Sequence, residues 1–492
     1  MAVRNTFWQV AWPAAAEGLL LMLLSATDLL MVSSLGTTAV AAVSIFSQPR
    51  MVILCVTRSF SVALSAYVAR RWGEQPDCPL GDCTRASLLL GSVISFLLLA
   101  GTWIWSTPLL RLAGAQDDYL PLALQYAYPA LASLALSGPT IVLHGILAGL
   151  GDTRSVLYAN VLGNGVNVIC NGLLIYGLGP FPRLGVFGAG LGTAIGAAVT
   201  LAYTLGLFLK RDHPAALNGQ GRWRPERTYL QLMGPLTAGV FLEQAAERVG
   251  MFAFSRLVAD LGTAALSIHN ICGSLCDIYY SFSQGLGKAS LVQSGRDLGS
   301  NQGKNLQQLA EVSRWAAVWT GGAAALLYFL LRAPLLQFYH LSGNNLELGC
   351  QIMLFVAVVN IPEAWAMVHA GILRGLGRTG FVAAYCLVSI AVVRPILTFL
   401  LVHRLQLGLY GAWIALTLDQ STRAVCSMLG VRRLLKAQPA SEALLQKYRT
   451  ACRMPNGPEK ISGPFDVVSY KPQSAFAEIP AGPFTSPQSI SG

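Results

Sequence analysis

Asp28 stands in an otherwise apolar run, fifteen residues after Pro13 and eleven after Glu17, about three helical turns. An ionisable side chain inside hydrocarbon costs a few kcal/mol, so each such residue is a functional candidate by default. A carboxylate in that setting can exchange a proton or hold a cation through its oxygens. The other reading is a structural aspartate hydrogen-bonded to neighbouring helices. Asn164, Asn167 and Asn171 follow at spacings of three and four, hence on one helical face, as a polar packing seam or part of a site. Glu243 and Glu247 are one turn apart on another apolar stretch, and Glu363 lies on a third. These three carboxylates can bind Na⁺, attract a cationic substrate, or pair with Arg248, Arg256 and Arg394. Asp419 and Arg423, at i and i+4, read as a structural salt bridge, with Arg394 a further ion-pairing residue. Arg50, Arg58 and Lys288 also fall in apolar runs. Near a helix end such residues snorkel, whereas the more central Arg58 calls for a carboxylate partner. His144, His269 and His369 lie on three different runs without metal-ligand spacing, so no metal site is expected.

The elements that hold these residues follow from composition. Of 492 residues, 54% are hydrophobic and 12% charged, about half the charge of a soluble chain, with mean hydropathy +0.53. Apolar windows of about 20 residues recur along the chain. They are centred on 8–32, 38–68, 86–106, 121–148, 155–178, 185–209, 229–258, 263–294, 313–333, 347–373, 381–402 and 408–430. The expected fold is an all-α polytopic membrane protein with twelve transmembrane helices in two parallel six-helix repeats. Pro13, Pro49, Pro129, Pro139, Pro235, Pro362 and Pro395 are expected to break spans. The first apolar run is too long for a cleavable signal peptide. Cys78 and Cys83 share a polar loop, with no second pair to complete a zinc site.

Placing alternate loops on opposite sides puts 18 Lys and Arg on the side of both termini and 4 on the other. The positive-inside rule then makes both termini cytoplasmic in a multi-pass plasma-membrane protein. The net charge of +11 is thereby topological, and no nucleic-acid partner is implied. The halves are related: Leu35-Gly36-Thr37 recurs as Leu261-Gly262-Thr263, Gly73 as Gly299, and Pro108-Leu109-Leu110 as Pro334-Leu335-Leu336, all offset by 226. At the same offset GILAGLGDT (145–153) recurs as GILRGLGRT (371–379), after which Gly185 pairs with Gly408. Glu17 pairs with Glu243 in this register, whereas Glu363 pairs with Ser137. The expected organisation is an N-lobe over 1–212, a basic cytoplasmic linker over 213–228, a C-lobe over 229–436 and a disordered cytoplasmic tail over 437–492. An even number of spans in each half makes a parallel repeat with a site at its interface near mid-membrane.

Several stretches resemble one family. WPAAAEGLLLMLLSATDLLMVSSLG (12–36), AAVSIFSQP (41–49) and VARRWGE (68–74) are similar to the first two helices of multidrug and toxin extrusion (MATE) transporters. NVLGNGVNVICNGLLIYG (160–177) resembles their fifth helix and LGVFGAG (184–190) the start of the sixth. ADLGTAALSIHNI (259–271), PEAWAMVHAGILRGLGRT (362–379) and GLYGAWIALTLDQSTR (408–423) resemble stretches of the second half. The resemblance covers about residues 8–430 and implies a two-lobed antiporter that expels small organic, often cationic, compounds in exchange for H⁺ or Na⁺. It implies no enzyme activity, no cofactor beyond the coupling ion, and a monomer in the lipid bilayer. It places Asp28 on a first-helix aspartate used in cation coupling, and Glu363 near an acid used by sodium-coupled members. Some proton-coupled members carry aspartate at the position of Asn171, so the amide here argues against a two-carboxylate relay in the first lobe and draws attention to Glu17. A flippase for a lipid-linked precursor, from the broader superfamily, is the alternative, and the basic residues Arg50, Arg58, Lys288 and Arg394 suit it. No GxxxxGK[ST] stretch points to ATP.

Overall fold

The computed structural model describes residues 2–76, 79–112, 119–218, 223–225, 227–300 and 302–451. Among them there is no strand. The helices run in order as α1 (Ala2–Ser33), α2 (Thr37–Glu74), α3 (Gly81–Ile104), α4 (Ser106–Leu112), α5 (Leu120–Gly149), α6 (Thr153–Tyr176) and α7 (Gly185–Phe208). The second half comprises α8 (Arg227–Ala259), α9 (Thr263–Gly299), α10 (Gly303–Phe338), α11 (Gly343–Gly375), α12 (Thr379–Cys386), α13 (Arg394–Phe399) and α14 (Gly408–Ala451). Two π-helical stretches, Leu387–Val393 and Leu400–Arg404, carry α12 through α13 to the next turn.

Among the described residues, eight helices are long and apolar enough to cross a membrane: α1, α2, α3, α5, α7, α10, α11 and the continuous segment Thr379–Arg404. The long helices outside that set are α6, α8, α9 and α14. They carry Asn164, Asn167 and Asn171, then Glu243 and Glu247, then Lys288, then Asp419 and Arg423. Chemistry-bearing residues therefore dilute the apolar signal where a site would be built.

Pro395 stands where a π-helical stretch gives way to α13, but five of the other prolines expected to interrupt spans do not do so. Pro13, Pro129, Pro139, Pro235 and Pro362 all lie inside continuous helices. Neighbouring helices shield and re-satisfy the backbone groups that proline frees in such bundles. α14 runs to Ala451, over the helix-forming stretch ASEALLQKYRTA. The rest of the expected tail, and Cys78, lie outside the described residues.

Helix starts follow the internal register. Gly36 (φ 104°) precedes α2 and Gly262 (φ 96°) precedes α9, a backbone region that costs glycine nothing. Gly151 (φ 78°) and Gly377 (φ 76°) likewise stand 226 apart, before α6 and α12. The two halves also exchange helix ends. Val3, Phe7 and Val10 of α1 are buried in a cluster built mainly from second-half side chains. Tyr229 and Met233 of α8, with Leu236 against them, join a first-half cluster. These are the same three positions displaced by 226. Close backbone approaches between halves lie toward the end of the bundle where α1 begins. A Cβ at Gly73 would collide with the Arg296 backbone, and one at Gly299 with that of Arg70.

Candidate functional site

The polar residues converge where α1, α2, α8 and α9 face each other and where α6 and α11 back them. In the first half, Asp28 accepts a hydrogen bond from Asn171 Nδ2 at 2.9 Å, joining α1 to α6. Asn171 is 1% exposed and packs against Gly192 of α7, where a Cβ would strike its side-chain oxygen. Asn167 donates to Thr193 at 3.4 Å, and Asn164 donates to the Asn160 carbonyl at 2.7 Å. The asparagine face is thus a packing seam that also presents one amide to the carboxylate of Asp28.

Glu17 is more deeply set, at 7% exposure. One oxygen accepts from Asn160 Nδ2 at 3.0 Å and the other pairs with Lys288 Nζ at 2.9 Å. Lys288 belongs to α9, so this ion pair ties the halves together. It does not snorkel to an interface. His144 lies in the field of Glu17 and hydrogen-bonds Thr204 at 3.1 Å.

The repeat mate of Glu17 is spent differently. Arg374 grips Glu243 with two contacts, one of them Nε to Oε2 at 3.0 Å, entirely within the second half. Arg374 is one of two substitutions inside the repeated nonapeptide, standing where the first half has Ala148. The other swaps Asp152, which caps α6 by accepting from Ser155 N at 3.1 Å, for Arg378, which makes no side-chain cap. Glu243 is consequently an ion-pair residue, and Arg374 is its partner in place of the arginines expected from sequence.

Glu247 accepts from Tyr280 Oη at 2.9 Å. Glu363, only 2% exposed, has no ion-pair partner among the described residues, and its one polar contact is the Cys276 thiol at 3.8 Å. The expected pairing of Arg394 with this carboxylate does not occur. Arg394 instead reaches Asp419 with Nε at 3.1 Å, and Arg423 Nε lies 3.5 Å from the same oxygen. Ser389, in the π-helical turn before Arg394, also donates to Asp419, which is fully buried. Arg256 is likewise taken by Asp260. Asp419, Arg394 and Arg423 form a closed structural triad, which leaves Glu363 unpaired.

Sequence reasoning missed two members of this second-half group. Asp277 lies in the fields of Glu247 and Arg248. Asn360, one turn before Glu363, is fully buried, and neither of its amide atoms has a hydrogen-bond partner among the described residues. An acid after Gly273 in an apolar run could have signalled the first. The second lies in a stretch too apolar to draw notice. Glu363 lies in the fields of Asp277 and Glu247, an acid-rich region in which a carboxylate can exchange a proton. Among the described residues, no cluster of three His, Cys, Asp or Glu has metal-site geometry. His269 packs between Phe254 and Trp413, and His369 bonds the Trp365 carbonyl.

The family model described as MatE matches residues 13–173 and again 240–400. The probable multidrug resistance protein NorM of Chromobacterium violaceum is 24% identical over 408 residues, covering 80% of this chain and 86% of that protein. Its namesake in Agrobacterium fabrum is 26% identical over 422 residues, covering 83% and 89%. Among solved structures, "MATE in the bent conformation" superposes with TM-score 0.83 at 21% identity, over 90% of this chain and 97% of that one. An outward-facing multidrug resistance MATE family transporter also superposes with TM-score 0.83, at 22% identity over 89% and 97%.

Proposed function

The chain belongs to the MATE family of multi-pass membrane transporters, and from that premise we propose that it is a plasma-membrane antiporter exporting small organic compounds in exchange for H⁺ or Na⁺. The observation that carries the reading is the isolation of Glu363. A carboxylate buried on the same helix as Asn360, without an ion-pair partner among the described residues and with Arg394 and Arg374 committed to other acids, is the kind of intramembrane acid that marks a proton or ion path. Asp28, held by Asn171, is the first-half counterpart and the second place where a coupling cation acts.

In this reading the chain comprises twelve spans in two lobes. The recurrence of the family match and of the positive-φ glycines supports that duplication. With both termini cytoplasmic, the end where Gly73 and Gly299 meet is the cytoplasmic closure, and the lobes rock about their interface to expose the site alternately. Entry of one cation down 100 mV supplies about 2.3 kcal/mol, enough for roughly fifty-fold concentration of a neutral compound. No resident cofactor takes part.

The test is efflux of ethidium from cells carrying wild type, Asp28→Asn or Glu363→Gln at matched expression. Loss of efflux in both variants supports the assignment. Wild-type efflux in both overturns it.

A further inference from the structure

Arg58 lies midway along α2 and Arg248 on the facing α8, both exposed and neither with an ion pair or hydrogen bond among the described residues. The surroundings decide what such groups do. The charges acting most strongly on Arg58 are two other guanidinium groups, Arg50 and Arg248. The one acid in its field, Glu17, is already held by Lys288 and Asn160. Arg50 contacts the Tyr126 hydroxyl, and Arg248 shares its surroundings with Asp277 without forming an ion pair. Ser59, next to Arg58, accepts from Gln244 of α8 at 3.1 Å, so this stretch of α2 faces the opposite half and not lipid.

Three like charges gathered at mid-bundle repel one another, and a guanidinium in hydrocarbon costs a few kcal/mol. A structural role would be served by a paired arginine, as Arg394 and Arg374 show in the same molecule. Unpaired planar forks on opposing helices match the two oxygens of a carboxylate, which each can engage bidentately.

We propose that Arg58 and Arg248, with Arg50 behind them, form an anion-recognition subsite between the halves that selects organic compounds bearing a carboxylate. This rests on the transport reading and adds to its substrate class acids and zwitterions that the arginines would hold by the carboxylate. In a zwitterion the amine falls toward the acids Asp277 and Glu247, while the carboxylate meets the arginines.

The test measures binding of fluorescein and of its methyl ester to the purified full-length protein, with ethidium transport followed in proteoliposomes. The acid is expected to bind at least about tenfold more tightly than the ester, because charge-assisted hydrogen bonds are lost on esterification. Arg58→Gln and Arg248→Gln should each remove most of that preference. Thermal stability should stay level or rise, since like-charge repulsion is relieved. Equal binding of acid and ester by wild type overturns the proposal, as does a fall in thermal stability with the preference intact. Displacement of the dye by phosphatidic acid but not by benzoate would assign the arginines to lipid phosphate and also overturn it. Ethidium transport without acid selectivity refutes this subsite and leaves the transport reading standing. Acid selectivity without ethidium transport refutes the transport reading and leaves the subsite.

Discussion

Lys288→Met removes the partner of Glu17 across the interface between halves. The side chain of Glu17 is 9% exposed and keeps only the Asn160 amide once Lys288 is gone. Breaking a fully buried pair costs roughly 3–5 kcal/mol, because the remaining charge is left uncompensated. Lys288 is 44% exposed, so water already screens part of the interaction, and the expected loss falls to about 2 kcal/mol. That is close to a thirty-fold change in the ratio of joined to separated halves. Glu17→Gln alone leaves the half-exposed lysine to be hydrated and should cost about 1 kcal/mol or less. The double variant leaves no buried charge and should cost less than the sum of the single changes by about 1–2 kcal/mol. The assay is disulfide formation between Ala69→Cys and Gly295→Cys in a chain otherwise free of cysteine, since a Cβ at Gly295 would lie 3.0 Å from that of Ala69. Cross-linking should fall sharply with Lys288→Met and recover with Glu17→Gln added. Strict additivity, within about 0.5 kcal/mol in equilibrium unfolding in mixed micelles, would refute a coupled pair.

Glu363→Gln should leave the melting temperature of the purified protein unchanged, because no ion pair is broken; a collapse in melting temperature would show a hidden basic partner. Asp419→Asn should destabilise by about 3–5 kcal/mol, since it strands the buried Arg394 and Arg423, and equilibrium unfolding reads this directly. Asp297, past the apolar stretch of α9, is pushed up to about 6 by burial, against the opposing effects of Gln293, Asn305 and Arg296. Its proton is held more tightly in the folded protein, so stability should rise as pH falls from 7 through about 6 and level off below about 4. Asp297→Asn should flatten that dependence in thermal unfolding followed between those pH values.

The helices were legible because apolar runs and glycine turns are local signals. Gly36 and Gly262, or Gly151 and Gly377, show the same register in sequence and in backbone angle. The ion pairs were less legible. Asp419 and Arg423 are neighbours on one helix and announce themselves by spacing, whereas the Glu17–Lys288 contact spans most of the chain. Arg374 left a trace as a substitution in a repeated motif, but nothing local tied it to Glu243. Arg58 shows the limit most clearly. Its central place in α2 called for a carboxylate, yet the charges that act on it most strongly are the guanidinium groups of Arg50 and, across on α8, Arg248. Pro13, Pro129, Pro139, Pro235 and Pro362 misled for a physical reason: a packed bundle tolerates proline inside a helix, and composition does not reveal that packing.

The most direct measurement is transport by the purified protein in proteoliposomes, with a Na⁺ gradient, a pH gradient and neither imposed in turn, for wild type, Asp28→Asn and Glu363→Gln. The account predicts uphill movement of an organic dye under one cation gradient without ATP, and none in either carboxylate variant. Uphill movement that persists in both variants, or that requires ATP, would contradict it.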